Sequence, residues 1–300
     1  MDKNQKELNI KKLLKNYSIE TTPNIYEKYG GFSDLVAFDN AVYVTYLPNE
    51  TSSRVIDTAK KLTNEGFDVI PHLPARTMRD IAEIESYIGS LSEEAGCNKI
   101  LVIGGGPNQK GKITSSLDIL KTDLLSKYQF KEVGLAGHPD GNSNISREDL
   151  DKAIIEKNEF VKNADYKAYL ATQFFFEASS LKIWEQKLYS LNNKLEIHAG
   201  IPGPATLKTL VSYAISCGIG NSIKFLSKQA MNITKIATTR TPDKIIADLA
   251  DYKVKNPYSK LAKLHFFPFG GIKKTSKWLN HLLNSNLDIN NNNKFKIIDK

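Results

Sequence analysis

Eight short apolar runs recur along this chain, at residues 17–20, 41–48, 67–75, 99–106, 131–137, 167–177, 195–203 and 263–271, and a helix-patterned stretch follows each. The runs are continuously apolar rather than alternating, as in I-L-V-I at 100–103. Such strands suit a parallel sheet covered on both faces. Eight βα units in about 250 residues is the arithmetic of a closed α/β fold, the (β/α)8 TIM barrel. The rhythm predicts one barrel domain over residues 1–286 rather than two domains. A barrel of this kind places its chemistry at the C-terminal ends of its strands. There the sequence carries Glu20, Thr45, His72, Gly104, Gly105, Gly106, His138, Gln173 and the stretch 200–203.

Residues 1–16 read as an amphipathic lead helix with Leu8, Ile10, Leu13 and Leu14 as its apolar members. Later helices are expected at 52–64, 77–94, 115–127, 146–163, 179–191 and 205–216, most of them opening at or near a Ser or Thr suited to an N-cap. The segment 218–257 is too long for a simple αβ loop. It reads as an insertion before strand eight, with helical patterns near 222–231 and 242–253. Residues 287–300, with N-N-N-N, read as a loosely held tail.

The chain is 41% hydrophobic and 25% charged, as expected of a globular enzyme. No apolar run approaches the roughly 18 residues that span a bilayer. The charged start M-D-K-N-Q-K has no secretory pattern, and two cysteines are too few for a disulfide framework, so a reducing cytoplasm is expected. The net charge of +8 comes from dispersed lysines, without an arginine-rich or aromatic-interleaved block. No nucleic-acid or membrane partner is therefore expected, and the basic field suits an anionic small molecule.

Glu20 ends strand one inside S-I-E-T-T-P, where partial burial is expected to raise its pKa and fit it for general-acid work. His72 and His138 end strands three and five, whereas His198 and His265 lie within strands and read as packing residues. The histidine spacing lacks the strand-one H-x-H of metal-dependent barrel hydrolases, so no metal is expected. Gly104, Gly105 and Gly106 could bring backbone N–H groups close to a ligand. Gln173, inside the aromatic strand end T-Q-F-F-F-E, can donate and accept at once, which suits the edge of a pterin, purine or flavin. Phe174 beside it could supply a stacking face. Asn158 and Lys162, one turn apart on the preceding helix, could reach a phosphate or ribose.

Together these pieces resemble the methylenetetrahydrofolate reductase family over about residues 17–285. The matching segments are A-T-Q-F-F-F-E at 171–177, S-I-E-T-T-P at 18–23, V-T-Y at 44–46, P-H-L at 71–73, A-G-H-P-D-G at 136–141 and the G-I-P-G of strand seven. The resemblance implies a (β/α)8 barrel, a non-covalent FAD, NAD(P)H as co-substrate, a folate substrate and a homo-oligomer. It implies that Glu20 is the acid that helps to open the methylenetetrahydrofolate ring. Thr45, His72, Ala136, His138, Asn158 and Lys162 fall at flavin-contacting positions, and Gln173, Phe174 and Phe267 on the folate side. One segment departs from the pattern. Where the family has L-R-G-D after strand four, this chain has Ile103, Gly104, Gly105 and Gly106, so the arginine and aspartate are missing. A flavin-dependent reductase is the leading expectation. The alternatives are a flavin-free relative handling methyl- or methylene-tetrahydrofolate and, further off, a metal-dependent hydrolase.

Overall fold

A computed structural model describes residues 2–106, 108–219 and 238–299. Eight parallel strands close into a barrel: β1 Ser18–Thr21, β2 Ala41–Val44, β3 Asp68–Pro74, β4 Lys99–Ile103, β5 Glu132–Gly137, β6 Lys167–Thr172, β7 Glu196–Pro202 and β8 Leu261–Phe267. Closure comes from β1, which pairs with β2 through Ser18 and Ala41 and with β8 through Ser18 and His265. The predicted (β/α)8 architecture is the observed one.

Around the strands lie α1 Lys3–Leu14, α2 Pro23–Tyr29, α3 Ser52–Asn64, α4 Ile81–Gly89, α5 Ser116–Leu120, α6 Leu124–Lys127, α7 Arg147–Val161, α8 Ala178–Ser190, α9 Leu207–Ser216, α10 Asp243–Lys255 and α11 Ile272–Asn284. Local chemistry sets their starts. The Ser146 hydroxyl accepts the Asp149 N–H while donating to the Asp149 carboxylate, a reciprocal cap on α7. The helix expected from Thr77 begins only at Ile81, because Asp80 accepts the Glu83 N–H and a 3₁₀ turn occupies Ala75–Thr77. The stretch expected as one helix at 115–127 is split into α5 and α6. The pattern expected at 242–253 is α10, whereas the one at 222–231 lies outside the described residues.

Side chains alternate across each strand. Val42, Val44, Val69, Ile100, Val102, Leu135, Ile197 and Phe266 pack outward against the helices in the main core. Tyr43, Ile70, Leu101, Tyr169 and Ala171 fill the barrel as a separate inner cluster. Space there is tight at Gly134, where a Cβ would stand 2.8 Å from Leu101 Cδ1 and 2.9 Å from the Tyr169 hydroxyl. Glycine at that point lets the Tyr169 ring cross the lumen.

The segment expected to be a loose tail is an antiparallel hairpin, Asn286–Ile289 with Phe295–Ile298. Leu287, Ile289 and Phe295 are buried, since a period-two apolar pattern on each side of the asparagine turn gives the hairpin one face to dock. Its neighbour α1 buries Ile10, Leu13 and Leu14 but leaves Leu8 exposed. Among the described residues, no helix is long and apolar enough to cross a membrane.

Candidate functional site

The barrel mouth is organised around Glu20. Its Oε1 accepts from His265 Nε2 at 3.2 Å and its Oε2 from the Thr45 hydroxyl at 3.3 Å. His265 Nδ1 lies 2.9 Å from the Ser18 hydroxyl. Because the ionised carboxylate can only accept, His265 Nε2 donates to it. His72 Nε2 stands 3.5 Å from the same Glu20 oxygen, within ion-pair reach but without a hydrogen-bond partner. The Tyr87 hydroxyl donates to the His72 carbonyl at 2.9 Å and anchors that strand end.

The expectation of a raised Glu20 pKa is reversed. Burial pushes it up, but the His265 hydrogen bond, the neighbouring His72 and His265 imidazoles and the Thr45 hydroxyl together hold it below its ordinary value. Glu20 is therefore a carboxylate at neutral pH, an acceptor rather than a stored acid. His72 is pushed down to about 4, chiefly by burial, and is neutral.

Beneath this layer the Tyr43 and Tyr169 hydroxyls meet at 2.6 Å. The His265 ring lies 4.4 Å from that of Tyr43, and His198 stacks on Tyr169 at 3.9 Å. The tyrosine pair is the floor of the mouth. Tyr43→Phe alone orphans a buried hydroxyl and is expected to cost about 1–3 kcal/mol, whereas the double Tyr43→Phe/Tyr169→Phe variant should lie close to wild type. Chemical denaturation of the single and double variants reads the coupling directly.

On the β6 side, Gln173 Oε1 accepts the Phe174 N–H at 3.1 Å, so its amide N–H groups are what it can offer a ligand. Phe174 does not face the mouth. It is 1% exposed and packs edge-on against Phe176, Phe267 and Phe269. The half-buried Phe267 takes the aromatic position instead, 4.9 Å from His265.

The structure places three further expected positions as follows. The Gly104–Gly106 turn is held through its carbonyls: Arg76 Nη1 donates to Gly105 O at 3.0 Å and to Gly106 O at 3.3 Å, and Arg76 N donates to Gly104 O. Asn158 holds Asn193 at 2.9 Å and the Lys194 N–H at 2.8 Å, at the turn that leads into β7 and hence at the opposite end of the barrel. Lys162 caps α7 at that same end, with a largely exposed side chain 3.8 Å from Glu159. The residue of α7 that does reach β5 is Lys157. It is buried, donates to Ala136 O at 2.7 Å, and is pushed down to about 8 by burial. His138, beside it, is pushed down to about 4 by burial and by the Lys157 charge.

Sequence reasoning missed His265, Tyr43, Tyr169, Lys157 and Arg76. The signal for His265 was present: it shares the inward phase of β8 with Phe267, two residues on. Among the described residues, no group of three His, Cys, Asp or Glu is arranged to hold a metal ion.

No family profile matches the sequence. Among solved structures, an uncharacterised protein from Clostridium thermocellum, described as binding two copies of 5-methyl-5,6,7,8-tetrahydrofolic acid, is similar at a TM-score of 0.55 and 15% identity, over 93% of this chain and 97% of that one. A dihydropteroate synthase from Thermus thermophilus is similar at a TM-score of 0.44 and 10% identity, over 90% and 92% of the two chains. At 15% identity the likeness to the first of these is one of fold alone.

Proposed function

We propose that this chain binds a reduced folate, a methyl- or methylene-tetrahydrofolate, in the mouth above Glu20, and that it does so without a flavin. The observation that carries this reading is the Glu20 carboxylate, held ionised by His265 and Thr45 at the centre of the strand ends. A carboxylate so placed accepts hydrogen bonds from the N–H groups of a pterin, and bonds to a charged acceptor are the strong ones. Gln173 can add amide donors from the β6 side, and Phe267 supplies the aromatic neighbour. The methyltetrahydrofolate bound by the Clostridium thermocellum barrel supports the choice of ligand.

The flavin expectation draws less support. Two of its residues, Asn158 and Lys162, stand at the far end of the barrel. The carbonyls of the β4 turn are tied to Arg76, and no acidic side chain stands among Gly104, Gly105 and Gly106.

Titration of the intrinsic tryptophan fluorescence with methyltetrahydrofolate tests the proposal. The wild-type protein should bind, and Glu20→Gln should weaken binding by about tenfold or more, the worth of a charge-assisted hydrogen bond. Equal affinity of the two proteins would remove Glu20 from the site. Uptake of added FAD that NADH or NADPH then bleaches would overturn the flavin-free reading.

A further inference from the structure

Helix α9 stands apart from the helices of the barrel wall. Ala205–Thr206 pairs antiparallel with Thr239–Arg240, so α9 lies on an excursion that leaves the C-terminal end of β7 and returns before α10. Its buried residues Leu207, Leu210 and Ala214 join Phe174 and Ile219 in a core of their own. Thr206 caps the start of the helix, its hydroxyl accepting the Thr209 N–H at 3.2 Å. Gly218 turns the chain at the other end. Its N–H donates to Ile215 O at 3.1 Å and the Ile219 N–H to Ala214 O at 3.0 Å, the paired bonds of a Schellman turn. Such a turn needs a left-handed residue, and Gly218 supplies it with a φ of 67°.

The turn brings the Gly218 carbonyl to the loop between β5 and α7, where the Ser143 N–H donates to it at 3.0 Å. The helix therefore runs from the end of β7, past Phe174 after β6, to a bond with the β5 loop. On its flank Tyr213 stacks on Phe269 at 4.0 Å, and Phe269 on Phe267, the ring beside His265, at 5.6 Å. Cys217, at the tip, packs on the same cluster as Phe267. Burial pushes its thiol up, against a contact with Ser216, and the Glu20 carboxylate adds to the rise. The tip is thus within electrostatic reach of the mouth. A backbone hydrogen bond adds little net stability, so the tip can let go of the β5 loop at small cost.

We propose that α9 is a cover on the mouth, latched shut by the bond between Ser143 and Gly218, and that release of this latch admits the ligand. The inference rests on the reading of the mouth as the ligand site. A latch that closes equally over an empty and an occupied mouth slows entry and exit together and leaves affinity alone.

Two variants open the latch from opposite sides. Ser143 is the second residue of a turn closed by the Ile145 N–H on Asn142 O at 3.3 Å, a position that accepts proline. Ser143→Pro therefore keeps the turn and removes the donor, whereas Ser143→Ala keeps the donor and is the control. Gly218→Ala would set a Cβ 2.6 Å from Ser143 Oγ on a left-handed residue. Cys217 reports the opening, because the other cysteine, Cys97, is buried and its thiol is pushed up to about 12. Labelling of the whole protein with dithiobis(nitrobenzoate) should run about three to ten times faster in Ser143→Pro and Gly218→Ala than in the wild type or Ser143→Ala, the worth of one hydrogen bond. In stopped flow, methyltetrahydrofolate should associate with and leave Ser143→Pro faster by that same factor, with Kd unchanged within about twofold. Wild-type labelling rates in both variants would overturn the proposal, as would faster labelling with unchanged ligand rates. If methyltetrahydrofolate does not bind the wild type at all, the folate reading falls, and the labelling rates alone decide whether the cover opens.

Discussion

Taking the protein from pH 7 to pH 4.5 is expected to remove about 7 kcal/mol of its stability, because three histidines refuse the proton that the unfolded chain accepts. Burial pushes His72 and His138 down to about 4 and His198 to about 3, against an ordinary value of 6.5. Between those limits the unfolded state binds more protons, so stability is fully present above pH 6.5 and falls as the pH drops toward 4. Each histidine contributes about 2.5 kcal/mol over this interval. Glu20 acts in the same direction further down. Its carboxylate is favoured in the folded state, so its contribution is lost only as the pH falls through its lowered value. Guanidinium unfolding at the two pH values measures the total. His198→Phe keeps an aromatic ring against Tyr169 and removes one of the three titrating groups, so it should cut the loss by about a third. A midpoint that does not move with pH would mean that these imidazoles are already charged in the fold.

A large effect of a single methyl group on the mouth is expected at Gly200 in β7. A Cβ there would stand 2.5 Å from the Thr172 carbonyl oxygen, 2.8 Å from the Phe267 ring and 3.0 Å from the Gln173 carbonyl carbon. Two of those neighbours are backbone, and the Gly200 N–H is tied to the Thr172 hydroxyl at 2.8 Å, so the strand cannot simply lean away. Gly200→Ala should cost about 3 kcal/mol, as overpacking in a closed core does. It should also lower affinity in the mouth, because Gln173 and Phe267 are the groups displaced. Gly106→Ala, at a position with nothing within 4 Å of a Cβ, serves as the control and should leave both stability and affinity close to wild type. Denaturation and ligand titration of the two variants side by side separate a steric effect at the mouth from a general intolerance of added methyl groups.

The barrel was legible because its signal is repeated eight times and each repeat is local. Glu20, Thr45 and His72 were legible for a related reason, since a strand end in a barrel has one place to go. What failed was phase. On α7 a step of one residue is a turn of about 100°. Lys157 therefore points up to Ala136 while Asn158 is bonded at the other end of the barrel, and the helical spacing of Asn158 and Lys162 said nothing about which end they served. Phe174 was misplaced by the opposite facing of neighbouring strand-end residues. Its partners lie in a satellite core with Leu207 and Leu210, which only the folded chain brings near. His265 was read as packing because its partner Glu20 is 245 residues away. The reversed pKa of Glu20 follows from that miss: the expectation counted burial and left out the two imidazoles.

The pairing of β1 with β8 bears on how this protein comes into being. Ser18 and His265 are 247 residues apart, and no earlier segment can satisfy the free edge of β1 in their place. On the ribosome, at roughly 5–20 residues per second, β1 is exposed for about ten seconds or more before its partner has even been polymerised. Throughout that time the nascent chain carries an open parallel sheet, with Glu20 in water and without His265. Closing the barrel and assembling the mouth are thus a single late event. Any shortage of chaperone capacity during translation is expected to appear as aggregated chain rather than as folded protein with a weakened site.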